Sequence, residues 1–188
     1  MRIVLASKSP RRRELLGKLF DDFEIITRET DETLPSGVHP SLGVELLAVR
    51  KGEAVARELG NDALVISSDT LVELGGIPLG KPTDPDDAVK MLSMLSGRTH
   101  HVHTGVAVHY GGRVFRGVDT AAVTFKKLSE EEISEYVRGG EPMDKAGSYA
   151  IQGEGAKFVE KFEGEFDAIV GLGLVLTKKL IDLAVNND

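Results

Sequence analysis

The chain has no cysteine among its 188 residues. That removes disulfides, thiolate nucleophiles and cysteine-ligated zinc, so any chemistry must come from carboxylates, hydroxyls, imidazoles and cations. Long hydrophobic runs are missing as well: no stretch approaches the roughly 18–20 apolar residues of a membrane span. A single Arg2 ahead of a very short apolar run does not make a signal peptide. A cytoplasmic protein without membrane association is the expectation. Positive charge is in the minority, with 23 Lys and Arg against 30 Asp and Glu and a net charge of -7. Such a body lacks the broad basic face that duplex DNA requires, and no stable nucleic-acid complex is expected. Internal repeats, low-complexity tracts and an obvious interdomain linker are absent too, and the length suits one sizeable core or two small lobes on a shared sheet.

What the chain does have is an unusual opening. Ile3 to Ala6 reads as a short strand, running through Ser7 and Ser9 into Pro10, a favoured first residue of a helix. Arg11, Arg12 and Arg13 then fill the first turn. Cations there oppose the helix macrodipole, which favours anions by about 0.3–1 kcal/mol per charge. A solvated basic turn over buried Leu15, Leu16 and Leu19 is one account. A phosphate site is the better one, because strand, Ser-rich turn and helix in sequence is where α/β folds hold ligands.

Further along, Phe23 to Thr27 reads as a strand and Arg28 to Pro40 as a polar loop. Ser41 is expected to cap a long helix that Gly60 stops. Ala63 to Leu74 and Ile77 to Leu79 form a hairpin about Gly75-Gly76, and a helix opens at Asp84-Pro85 and closes by Gly97. His101 to Tyr110 and Arg113 to Lys126 are long strands about Gly111-Gly112, and Ser129 with Glu132 is a capping box. Lys157 to Phe162 and Phe166 to Val170 read as another hairpin, before a last helix from about Leu174. Alternating helices and strands with frequent hairpins predict an α/β fold with a mixed sheet.

Asp69 is the sharpest single residue. It sits in the polar island Ser67-Ser68-Asp69-Thr70 inside an otherwise apolar strand. A carboxylate there needs a partner, and it reads either as a strand-end residue bonding a local turn or as the floor of a pocket, holding a divalent ion or orienting water. Glu29, Asp31 and Glu32 add loop carboxylates, while Lys51 and Lys81 matter only if the fold brings them to the arginines. His101 and His103 share one strand face and His100 the other, which leaves two ligands without a third; edge-strand histidines are the expectation. The segment Glu141 to Gly155 is Gly-rich but lacks the spacing of a P-loop or dinucleotide fingerprint. It reads as a flexible connection.

Together these pieces resemble the Maf family of nucleoside triphosphate pyrophosphatases over nearly the whole chain. ASKSPRRREL, KGEAVA, SSDT, GKP, LSGRTH, EPMDKAGSYAIQG and VGL follow in the family's order. The resemblance implies a single domain over residues 1–188: a long mixed sheet flanked by helices, with two lobes and a central cleft, similar to inosine triphosphate pyrophosphatases. It implies hydrolysis of dTTP and UTP to the monophosphate and pyrophosphate. Asp69 would be the proton acceptor, with Ser7, Arg12, Lys51 and Lys81 on the polyphosphate. Glu32 and Asp69 would hold a divalent cation, Mg2+ or Mn2+. Arg11, Thr70 and Gln152 match the dTTP/UTP pattern rather than the 7-methyl-GTP one. Gly173 departs from the family where proline is common. Other readings are a nucleotide-binding regulator of septum formation and cell division, and a pyrophosphatase preferring a modified or purine nucleotide. A homodimer is compatible with all of them.

Overall fold

A computed structural model describes residues 1–186. Its strands are β1 (Arg2–Leu5), β2 (Glu24–Ile25), β3 (Ala63–Leu74), β4 (Ile77–Leu79), β5 (Thr99–Tyr110), β6 (Arg113–Phe125) and β7 (Val159–Glu163). The helices are α1 (Pro10–Leu16), α2 (Pro40–Leu59), α3 (Pro85–Leu95), α4 (Glu130–Arg138), α5 (Phe166–Val170) and α6 (Leu174–Asn186). One seven-stranded sheet runs in the order β2-β1-β3-β5-β6-β7, with β4 also paired to β3. β1 is parallel to both neighbours and the rest of the sheet is antiparallel, so the sheet is mixed as expected. Both long hairpins turn on Gly-Gly pairs with positive φ, 59° and 85° at Gly75-Gly76 and 59° and 74° at Gly111-Gly112. Two successive left-handed residues give the turn whose twist matches the flanking strands.

Among the described residues three hydrophobic clusters line the sheet: a small one between β1, β3 and α2, and two larger ones that share both β3 and β5. Leu64 and Ile66 of β3 and Val106 and Val108 of β5 pack with Leu15, Leu16, Leu172 and Leu180. Farther along the same strands, Val72, Leu74 and Val102 pack with Leu92, Phe125, Tyr136 and Phe158. The polar island of β3 falls between them, and this makes the two lobes. α2 lies along β3 and β5 at close range: a Cβ on Gly52 would come within 2.5 Å of the Ser67 hydroxyl and the His109 ring. That approach brings Lys51 over the island. Among the described residues, no helix is long and apolar enough to cross a membrane.

Four expectations change. Phe166 to Val170 is the helix α5, not a strand; β7 pairs with β6 instead. A five-residue apolar run has no period long enough to separate helix from strand. The cap of α2 is His39, whose Nδ1 accepts from the Ser41 amide, with Pro40 as first helical residue. The histidines are not on an edge, because β5 is flanked by β3 and β6. His100 is fully buried against Phe125 and Tyr149, and both His103 nitrogens are engaged, by Thr120 and Glu73. Residues 141–158 are a series of short 3₁₀ turns rather than a loose connection. The departure at Gly173 has a local reason: a Cβ there would lie 1.8 Å from Asp119 Oδ2.

Candidate active site

The cleft begins where the sheet loses a neighbour. β1 ends at Leu5, opposite Ile66, and the Ala6 amide makes the last bond to the Ile66 carbonyl at 2.7 Å. β4 joins the same side of β3 only at Val72. Ser67 to Leu71 therefore face no strand on that side, and the chain leaving β1 turns into α1 over the gap. In open α/β sheets, ligands bind beyond such strand ends. Here the gap opens into a cleft of about 960 Å³ lined by Ser7, Arg11, Arg12, Glu32, Lys51, Asp69, Thr70, Lys81 and Gln152. Every residue to which the resemblance gives a role lies on this one surface, whereas Arg13, Asp31 and the β5 histidines His100, His101 and His103 do not.

The floor is fixed by hydrogen bonds to backbone carbonyls. Ser67 Oγ donates to Ala48 O of α2 at 2.7 Å, and Ser68 Oγ to Gly171 O at 2.9 Å. Thr104 Oγ1 donates to Ala168 O at 2.7 Å and pairs with Thr70 Oγ1 at 3.0 Å. Arg12 completes the set: Nε donates to Gly171 O at 2.8 Å, Nη2 to Thr70 Oγ1 at 3.0 Å and Nη1 to Ser7 Oγ at 3.4 Å. A guanidinium has five N–H donors, so two remain for an anion in the cleft. Burial pulls the Arg12 pKa down from its ordinary value, the charge of Asp69 opposing the effect. The ordinary value is so high that Arg12 stays cationic.

Asp69 and Glu32 converge on one cation. Lys51 Nζ lies 2.5 Å from Asp69 Oδ1 and 2.8 Å from Glu32 Oε1. Asp69 and Lys51 are largely buried while Glu32 is mostly exposed. Among the described residues, no group of three or more His, Asp or Glu is placed to hold a metal ion. The pair fits a hard divalent ion of the kind that takes one or two carboxylates and completes its shell with substrate phosphate.

The facing wall is built from the β4 turn and residues 141–155. Gly147 N donates to Gly80 O at 3.0 Å, tying the turn that carries Lys81 to the segment that carries Gln152. Glu141 anchors that segment, accepting from Tyr136 Oη at 2.6 Å, Glu154 N at 3.0 Å and Gly155 N at 3.1 Å. Burial resists the Glu141 charge, but these donors prevail and hold its pKa below the usual range. Across the cleft, Arg11 Nη1 meets Asp144 Oδ2 at 3.8 Å. Asp144 and its neighbour Lys145 line the cleft, and sequence reading passed over both. Their only signal was position inside the Gly-rich segment, which gives no hint of Arg11 opposite.

Similarity to known proteins runs the length of the chain. The family model described as Maf-like protein matches residues 2–184. The dTTP/UTP pyrophosphatase of Moorella thermoacetica is 50% identical over 182 residues, covering 96% of this chain and 93% of that one. The dTTP/UTP pyrophosphatase of Pelotomaculum thermopropionicum is 51% identical over 174 residues, covering 92% and 91%. In fold, a HAM1 protein from Coxiella burnetii superposes with a TM-score of 0.56 at 15% identity, covering 97% of this chain and 98% of that one.

Proposed function

The chain belongs to the Maf family, and from that premise we propose that it is a dTTP/UTP pyrophosphatase, releasing the nucleoside monophosphate and pyrophosphate. The observation that carries the reading is the convergence of Lys51 on Asp69 and Glu32 in a cleft that also holds Ser7, Arg12 and Lys81. A pure anion-binding site has no use for a buried carboxylate at its centre. A hydrolytic site needs one. Because the walls come from both of the larger hydrophobic clusters, the chain acts as one domain.

Polyphosphate enters the cationic side. Arg12 offers its two remaining N–H groups, Ser7 its hydroxyl, and Lys81 an exposed ammonium. Lys51 moves from the carboxylates toward phosphate oxygen, which frees Asp69 Oδ1 to accept a proton from the attacking water. Glu32 and Asp69 are the residues that would hold the divalent cation, Mg2+ or Mn2+. Bound there, it supplies neutralisation of charge on the phosphoryl oxygens, the main requirement of phosphoryl transfer. Arg11, Thr70 and Gln152 set the choice of nucleotide. Thr70 does so through Arg12, to which it is hydrogen-bonded, and Gln152 through its own amide at the cleft rim.

Phosphorus NMR of a UTP digest tests the reading. UMP and pyrophosphate as first products are expected; UDP and orthophosphate would overturn the cleavage site. An unchanged rate in excess chelator would remove the metal from Glu32 and Asp69.

A further inference from the structure

Lys145 is an enclosed cleft cation whose ion-pair partner is mostly in water; its other contact is a long hydrogen bond to Glu141 O at 3.4 Å. Its side chain is only 14% exposed, whereas that of Asp144, to which it is ion-paired, is 66% exposed. A charged group so enclosed needs a counter-charge, but an exposed carboxylate returns to solvent with little loss, since such surface pairs contribute about 0–1 kcal/mol. Asp144 also takes Arg11 from the opposite wall at the loose distance of 3.8 Å. One carboxylate thus holds two cations that both line the cleft.

The backbone that aims Lys145 is held firmly. Gly147 and the buried Ser148 follow it in the left-handed region, with φ of 67° and 64°. For a serine that conformation is unfavourable by roughly 1–2 kcal/mol. A Cβ on Gly147 would come within 2.8 Å of Val72. The turn keeps its shape against that strain, so Lys145 is presented to the cleft by a fixed loop. Arg12, Lys51 and Lys81 supply three positive charges, and a triphosphate carries about four negative ones.

We propose that Asp144 is an internal counter-ion of the cleft, standing where substrate phosphate will lie, and that Lys145 becomes a further polyphosphate ligand once triphosphate displaces it. This rests on the pyrophosphatase reading. In the ligand-free protein Asp144 spans the mouth between Arg11 and Lys145. Phosphate oxygens then take over Lys145, and Asp144 is released to water, which also frees Arg11 for the nucleotide.

The two neighbours should respond with opposite signs. Calorimetric titration of the full chain with inorganic pyrophosphate reads this without chemistry. Lys145→Met, which keeps the apolar stem, should raise the Kd about tenfold, the loss of one charge-assisted contact. Asp144→Asn should lower it about threefold, because the competitor for the same cation is gone. In turnover, Lys145→Met should raise the KM for UTP by a larger factor than it changes kcat. A merely structural role predicts weakening in both variants, and that result would overturn the proposal. So would an unchanged Kd in Lys145→Met, or an unsubstituted protein that does not bind pyrophosphate. If the unsubstituted protein binds pyrophosphate but hydrolyses neither UTP nor dTTP, the pyrophosphatase reading fails instead, and the opposite signs still decide this one.

Discussion

The two walls of the cleft are held in different ways. On the floor, Ser67, Ser68, Thr104 and Arg12 are bonded to the carbonyls of Ala48, Gly171 and Ala168. On the facing wall, the backbone is anchored through Glu141 and Gly80, yet Lys81 and Gln152 are exposed and make no side-chain hydrogen bond within the described residues. The difference follows from what each wall must do. Groups that stabilise a transition state act best when oriented beforehand. In the proposed reading Lys81 meets incoming phosphate and Gln152 an incoming base, and side chains without internal partners keep their hydrogen-bonding capacity available for that.

The sharpest break of that comparison is at Asp69. Asp69→Asn is nearly isosteric and keeps the floor's shape but cannot accept the proton, so kcat for UTP should fall at least about 10²-fold, the low end for a positioned general base. Pyrophosphate affinity, measured by titration, should change far less. Turnover at the parental rate would return Asp69 to the role of a strand residue that merely pairs with Lys51.

The facing wall should instead show selectivity. Gln152 offers a donor and an acceptor, the complement of O4 and N3–H on uracil or thymine. Gln152→Glu removes the donor and should lower kcat/KM for UTP and dTTP about tenfold, roughly one hydrogen bond's worth. CTP, whose ring edge presents the opposite pattern, should lose less. An equal loss across a nucleotide panel would point to a disturbed 141–155 segment and make this wall resemble the floor.

The same contrast explains what the sequence disclosed. The floor was readable because its signals are local: an apolar strand interrupted by Ser67 to Thr70, and three arginines where a helix starts. Strand and helix order followed from periodicity and from Gly-Gly turns at 75–76 and 111–112. The facing wall was readable only through the resemblance, which names Lys81 and Gln152 but not how they are held. The meaning of Asp144 depends on Arg11, and that of Glu141 on the amides of Glu154 and Gly155, partners that only the folded chain brings near. The error at Phe166 to Val170 has the same root. Its apolar residues serve a short helix docked on Thr104 through Ala168, a tertiary contact without local trace. The histidines were misplaced because an edge and an interior strand of a mixed sheet have the same alternation.

The smallest expected effect concerns acid, and it separates what lies behind the two walls. His109 lies against α2 behind the floor and His100 lies under the facing wall; burial lowers the pKa of both, that of His100 to about 4. Only His100 bonds a cleft-lining side chain, through Nε2 to Tyr149 Oη at 2.8 Å. Its Nδ1 is buried without a partner, so a second ring proton would be stranded there. Above the unfolded value near 6.5, histidine is neutral in both states and adds no pH dependence. As pH falls from 6.5 toward 4, the unfolded chain takes up a proton that folded His100 refuses, and stability is lost. At pH 5.5 this amounts to about 1 kcal/mol, or about 3 °C in Tm for a chain of this size. His100→Gln can still bond Tyr149 and does not titrate, so its Tm should fall about 3 °C less than the parent's between pH 7.5 and 5.5. Identical slopes in thermal melts of the two proteins would mean that His100 takes up its proton in the folded state. The facing lobe would then be as open to water beneath Tyr149 as it is at its rim.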